Sequence, residues 1–245
     1  MFTNLHIQGL DIDWTQIADD SYLRKITSIS GLESLEFHKN ITFFVGENGS
    51  GKSTLLEAIA VSYGFNPEGG TRNYNFSTYD SHSPLCNAIR LKKGPKPSWG
   101  YFLRAESFYN VASWEEEYAR RGGVPSMELH RESHGESFLA IVQKNFQKNG
   151  LYILDEPEAA LSPQRQLTLL IEISRLAKEN AQFIIVTHSP ILLGIPDAEI
   201  LSFDTGMIHP IKYEETESYL VTKSFVDNRK GMLERLLNDE CESER

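Results

Sequence analysis

Gly46-Glu47-Asn48-Gly49-Ser50-Gly51-Lys52-Ser53-Thr54 is the run in this chain that carries the most chemistry. It fits G-x-x-x-x-G-K-[ST], in which glycines let successive backbone N–H groups close around phosphate oxygens. In that pattern Lys52 reaches the β- and γ-phosphates of a nucleotide, and the Ser53 hydroxyl can ligate Mg2+. A second group is Asp155-Glu156, two carboxylates that end the apolar run Leu151-Tyr152-Ile153-Leu154. Asp155 suits Mg2+, which prefers hard oxygen ligands and keeps several of its waters. Glu156 is then placed to polarise an attacking water or to accept its proton.

These residues need elements that aim them at one place. Ile41-Thr42-Phe43-Phe44-Val45 reads as a short buried strand before the loop, and residues 55–60 have the apolar spacing of a helix packed on a sheet. The loop would therefore lie at a helix N-terminus, where backbone donors and the helix dipole favour an anion. Strands are expected at 2–8, 35–37, 88–91, 99–104, 151–154, 183–187, 199–203 and 207–213. Residues 64–84, rich in Gly, Asn, Ser and Pro, read as a long loop. A helical lobe is expected over about 106–150, a helix over 163–179 and a polar helical tail from about 214 to 245. Strand and helix alternate after residue 150, which indicates a mainly parallel sheet covered by helices. In such a sheet ligands bind at the carboxyl ends of strands, so Asp155 and Glu156 should face the loop.

The chain has 245 residues, enough for one α/β domain with insertions. Its formal net charge of −10 argues against a bulk nucleic-acid or membrane binder. Arg90, Lys92, Lys93 and Lys96 form a local basic run, which leaves a nucleic-acid contact open but reads better as a solvated hairpin. Cys86 and Cys241 are too few for a disulfide framework. Apolar runs are of strand length, far short of a membrane span. A cytoplasmic protein is the expectation.

Asp155-Glu156-Pro157-Glu158-Ala159-Ala160-Leu161-Ser162 resembles the D-E-P-x-x-A-L-D stretch of ATP-binding-cassette ATPases. Ser133-His134-Gly135-Glu136-Ser137 resembles their S-G-G-Q signature, and Thr187-His188-Ser189 stands where they keep a switch histidine. The blocks have the order and spacing of that superfamily over nearly the whole chain. Val186-Thr187-His188-Ser189-Pro190 is more similar to the structural-maintenance, Rad50-like and RecF-like heads than to transporter subunits. The nearest resemblance is to small bacterial ATPases of the AAA-21/AAA-23 kind, in which blocks similar to residues 102–108 and 213–217 recur.

This resemblance implies a P-loop NTPase of the ATP-binding-cassette type, with an antiparallel β subdomain and a small helical lobe. It implies ATP and Mg2+ as ligands and a head-to-tail homodimer formed on ATP. Ser133, Gly135 and Glu136 would contact the γ-phosphate bound to the other subunit, and His188 would sense that phosphate. The expected activity is ATP hydrolysis that drives or switches an unidentified protein partner, with DNA-related or defence processes in view. Two alternatives are the nucleotide-binding subunit of a transporter and a slow switch or scaffold.

Departures from the pattern are specific. His134 and Glu136 replace a signature glycine and glutamine, and Ser162 replaces an aspartate. No glutamine follows residues 99–104; Glu106 is the candidate for its metal and water contact, with a helix cap equally open. Tyr22 could stack on adenine, although packing is the stronger reading.

Overall fold

The computed structural model describes residues 4–71, 83–104, 139–140, 142–143, 145–159 and 161–242. The centre is a seven-stranded sheet in the order β10-β9-β3-β8-β7-β6-β4. Its five inner strands are β9 (Glu199–Ser202), β3 (Ile41–Val45), β8 (Gln182–Val186), β7 (Gly150–Asp155) and β6 (Trp99–Arg104). All are parallel to their neighbours, while β4 (Gly70–Thr71) and β10 (His209–Pro210) run antiparallel at the edges. Pro210 lacks a ladder donor, so a strand ends naturally there. The expected strand 207–213 accordingly shrinks to two residues, followed by a 3-10 turn at Tyr213–Glu215.

The alternation of side chains sorts the core into two halves. Phe44, Phe102, Ile153, Ile184 and Val186 face the helix α2 (Lys52–Tyr63). Phe43, Tyr101, Leu103, Tyr152, Leu154, Phe183 and Ile185 face the opposite way, towards α4 (Pro163–Lys178). Every residue of β3 and of β8 is buried, so these strands read as continuous apolar runs, as expected for strands covered on both faces. Each buried Phe, Ile or Leu contributes roughly 1.5–3 kcal/mol. The helix α4 follows the same logic: Leu169, Ile173 and Leu176 lie inward on one stripe, and Pro163 occupies its first turn, where no helical N–H partner is lost.

A second sheet, β2-β1-β5, is wholly antiparallel and closes over the far side of α2. It comprises β1 (Ile7–Ile12), β2 (Ser34–Glu36) and β5 (Ile89–Lys93). The first strand starts later than residues 2–8 suggest, and a register shift between Ile7 and Gly9 explains why its alternation is imperfect. The basic run does not form a hairpin. The strand β5 pairs with β1 whereas β6 pairs with β7, so residues between them cross from one sheet to the other. Its charges are largely matched: Arg90 meets Asp13 at 3.2 Å, and Lys92 meets Asp11 at 2.9 Å. Lys93 lies 4.9 Å from the centre of the Tyr63 ring.

Three short helices, α1 (Thr27–Ser30), α3 (Leu85–Ala88) and α5 (Pro190–Leu193), fill corners. The tail is helical as expected, in α6 (Glu217–Asp227) and α7 (Arg229–Glu242). The helical lobe expected over about 106–150 lies mostly outside the described residues. Among the described residues no helix is long and apolar enough to cross a membrane.

Candidate active site

The phosphate-cradling sequence does form a loop between β3 and α2, at the carboxyl end of the central sheet. Two glycines there are obligatory for packing reasons. Gly46 has φ +140°, and a Cβ on it would stand 2.6 Å from Asp204 Oδ1. Gly51 has φ +96°, and a Cβ would lie 2.7 Å from both Ile26 and Ile29. The segment around α1 therefore forms a floor under the loop, and the Ser28 hydroxyl donates to the Ser50 carbonyl. Gly49 also has positive φ, so the chain can fold round an enclosed space. Glu47, Asn48 and Gly49 are exposed at the rim, with Ser50 and Thr54 half-buried.

Lys52 is 4 % exposed. Its ammonium donates to the carbonyls of Gly46 and Glu47, both at 2.7 Å, and lies 3.4 Å from Ser50 Oγ. Burial holds its pKa below the ordinary lysine value, against the pull of Asp204, Glu156 and Asp155. Cationic Lys52 is thus poised in a ring of oxygen acceptors, and anionic phosphate would relieve the cost of its burial.

The strand β7 ends at Asp155, and Ser53 Oγ donates to Asp155 Oδ1 at 2.9 Å. These residues are 102 positions apart in sequence, so the contact is the fold's own juxtaposition of loop and strand end. The pair fits Mg2+: a hydroxyl and a carboxylate oxygen on neighbouring elements would supply hard donors, with room for a substrate's oxygens and water to complete the shell.

Glu156 has φ +46°, a left-handed conformation that costs a non-glycine residue roughly 1–2 kcal/mol. The turn carries the chain away from the sheet, while the Glu156 N–H still bonds Val186 O at 2.9 Å. His188 is exposed, yet Thr187 before it is 0 % exposed and Ser189 after it is 5 % exposed. An imidazole with no side-chain bond among the described residues thus stands on a fixed mount.

Two residues at the site had no signature in sequence. Asp204, just beyond β9, accepts the Glu47 N–H at 2.6 Å through Oδ1 and lies 3.2 Å from Ser202 Oγ through Oδ2. Glu158 accepts the His188 N–H at 2.6 Å. Ser162, at the place of an aspartate in the resemblance, is the N-cap of α4 without a side-chain capping bond. Tyr22 is 51 % exposed and its hydroxyl donates to Ser83 Oγ at 3.0 Å, so part of the ring is open. Glu106, Ser133, His134, Gly135 and Glu136 lie outside the described residues.

The family AAA_23, described as AAA domain, matches residues 22–180. No curated protein matches the chain. Among solved structures, the SMC head domain from Thermotoga maritima is 15% identical, covers 85% of this chain and 100% of its own, and has a TM-score of 0.47. MJ1267, an ATP-binding cassette of an ABC transporter, is 18% identical over 79% of this chain and 89% of its own, with a TM-score of 0.40. With a family match over residues 22–180, and a phosphate loop set between a buried strand and a helix as in P-loop folds, the chain belongs to the AAA domain family.

Proposed function

We infer that this chain binds and hydrolyses ATP with Mg2+, and that ATP closes two copies head to tail to drive or switch a partner protein. The observation that carries the reading is the 2.9 Å bond from Ser53 to Asp155, which brings the phosphate loop and the strand-end carboxylate to one point. Lys52 and the loop N–H groups hold the β- and γ-phosphates. Ser53 and Asp155 hold Mg2+, which when bound neutralises charge that develops on the phosphate oxygens. Glu156, turned out of the sheet by its left-handed backbone, orients the attacking water and takes up its proton. His188 reaches the γ-phosphate from the adjacent strand end. Service in a DNA-related or defence process follows from the resemblance alone and rests on a partner.

Turnover by the purified chain tests the reading. Lys52→Ala should weaken ATP binding by about 1.5–3 kcal/mol, the worth of hydrogen bonds to charged groups. Glu156→Gln should keep ATP binding and slow hydrolysis by roughly 10²- to 10⁴-fold. Wild-type binding by Lys52→Ala, or unaltered turnover by Glu156→Gln, would overturn these assignments. A wild-type protein that binds ATP without turnover would favour the slow switch.

A further inference from the structure

The parallel strands β7 and β8 are in register up to Asp155 and Val186, and one more ladder bond, Glu156 N–H to Val186 O, closes the pairing. Beyond it the two chains part, one carrying Glu156 and the other His188. Two side-chain bridges rejoin them. Glu158 Oε1 accepts the His188 N–H at 2.6 Å. Gln166, on the first turn of α4, donates from Nε2 to Leu161 O at 3.0 Å and accepts from Ser189 Oγ at 2.6 Å. Ser189 in turn caps α5 through the Ile191 and Leu192 N–H groups at 3.2 and 3.1 Å.

Glu158 is the unusual member. Its second oxygen, Oε2, is buried and has no hydrogen-bond partner among the described residues. Burial first, and the nearby Glu156 charge last among the causes, move its carboxyl above the ordinary value. A carboxylate oxygen buried without a partner is costly to keep. What its Oε1 holds is the backbone N–H of the exposed histidine, with the Thr187 hydroxyl close by.

We propose that Glu158 is a positioning residue for ATP turnover, which fixes the His188 backbone to the Glu156-bearing loop so that the two groups present themselves to the γ-phosphate as one body. The proposal rests on the hydrolytic reading above. Glu158 acts through His188, whose backbone N–H it holds. Displacement of a reacting geometry by about 1 Å can cost on the order of 100-fold in rate, which is the size of effect a lost backbone tether can have.

The test uses the full chain with Mg-ATP. Glu158→Ala should lower kcat between about 10- and 100-fold while KM stays within about twofold. Glu158→Gln keeps the acceptor oxygen and should restore kcat to within about threefold of wild type. In a His188→Ala background, Glu158→Ala should add no further loss, because the tether then has nothing to position. Amide hydrogen exchange at His188 should speed up in Glu158→Ala and remain slow in Glu158→Gln. Full kcat in Glu158→Ala, or the same extra loss with and without His188, would overturn the proposal. Should Glu158→Ala fail to fold, Glu158→Asp takes its place, since it withdraws the oxygen by one methylene and should show the same loss. Absence of turnover in wild type would sink the hydrolytic reading instead; exchange at His188 then decides on the tether, and unchanged exchange in Glu158→Ala refutes it.

Discussion

Asp204 sets two opposed effects against each other. Its carboxylate holds the Glu47 N–H at 2.6 Å and so fixes the entry to the phosphate loop. It also places a negative charge near Lys52, close to where phosphates would lie. Substitution separates the two. Asp204→Asn keeps an acceptor for Glu47 and removes the charge, so it should bind nucleotide at least as tightly as wild type. Asp204→Ala removes the acceptor too, and should weaken binding by about tenfold, or about 1.4 kcal/mol. Titration with a fluorescent ATP analogue measures both. Equal affinity for Asp204→Ala and wild type would show that the loop holds its shape without this support.

At the scale of elements, one buried amide joins the two sheets. Gln182, the first residue of β8, is 0 % exposed. Its Oε1 accepts the Ile7 N–H and its Nε2 donates to the Ile7 carbonyl, both at 2.8 Å. Ile7 lies beyond the last register pair between β1 and β2, so the amide does there what a neighbouring strand would otherwise do. Gln182→Leu has a similar volume and leaves both Ile7 groups buried without partners. At about 1–3 kcal/mol for each, the loss should be roughly 2–6 kcal/mol. A fall in the thermal midpoint on the order of 10 °C would match this, and an unchanged midpoint would mean that Ile7 finds other partners.

The same two places show what a sequence can disclose. The loop at 46–54 was readable because its whole requirement is local: glycines at fixed offsets, then Lys52 and Ser53, between an apolar strand and a helix. The strands 99–104 and 151–154 were readable because a buried parallel strand is a bounded apolar run. Asp204 and Gln182 were not, because the partner that gives each its role lies 157 and 175 positions away and no periodicity marks it. The hairpin expected around Lys93–Gly94 failed for a related reason. A short polar turn between two strands cannot tell a return within one sheet from a crossing to another, and here it crosses. Glu158 stands within the stretch that resembles D-E-P-x-x-A-L-D, but its bond to the next loop depends on a register between strands that no spacing reveals.

For the molecule as a whole, the question is whether ATP joins two copies. Each copy carries a formal charge of −10, so two copies repel through solvent, and at low salt that repulsion reaches furthest. Bound Mg-ATP would have to outweigh it by bridging the loop of one copy to Ser133 and Gly135 of the next. Glu156→Gln, which should retain ATP unhydrolysed, is the suitable protein for this measurement. Light scattering at about 0.15 M salt, where the Debye length is about 8 Å, should give 27.8 kDa without nucleotide and twice that mass with Mg-ATP. Adding Ser133→Arg to that variant should keep it monomeric while leaving ATP bound, because the substitution obstructs only the opposing contact. A monomer that holds ATP but never pairs would end the head-to-tail homodimer and direct the search to a second kind of subunit. Pairing that survives Ser133→Arg would move the interface elsewhere on the surface. The joint outcome, pairing that needs both ATP and Ser133, is the one that makes the site a shared one.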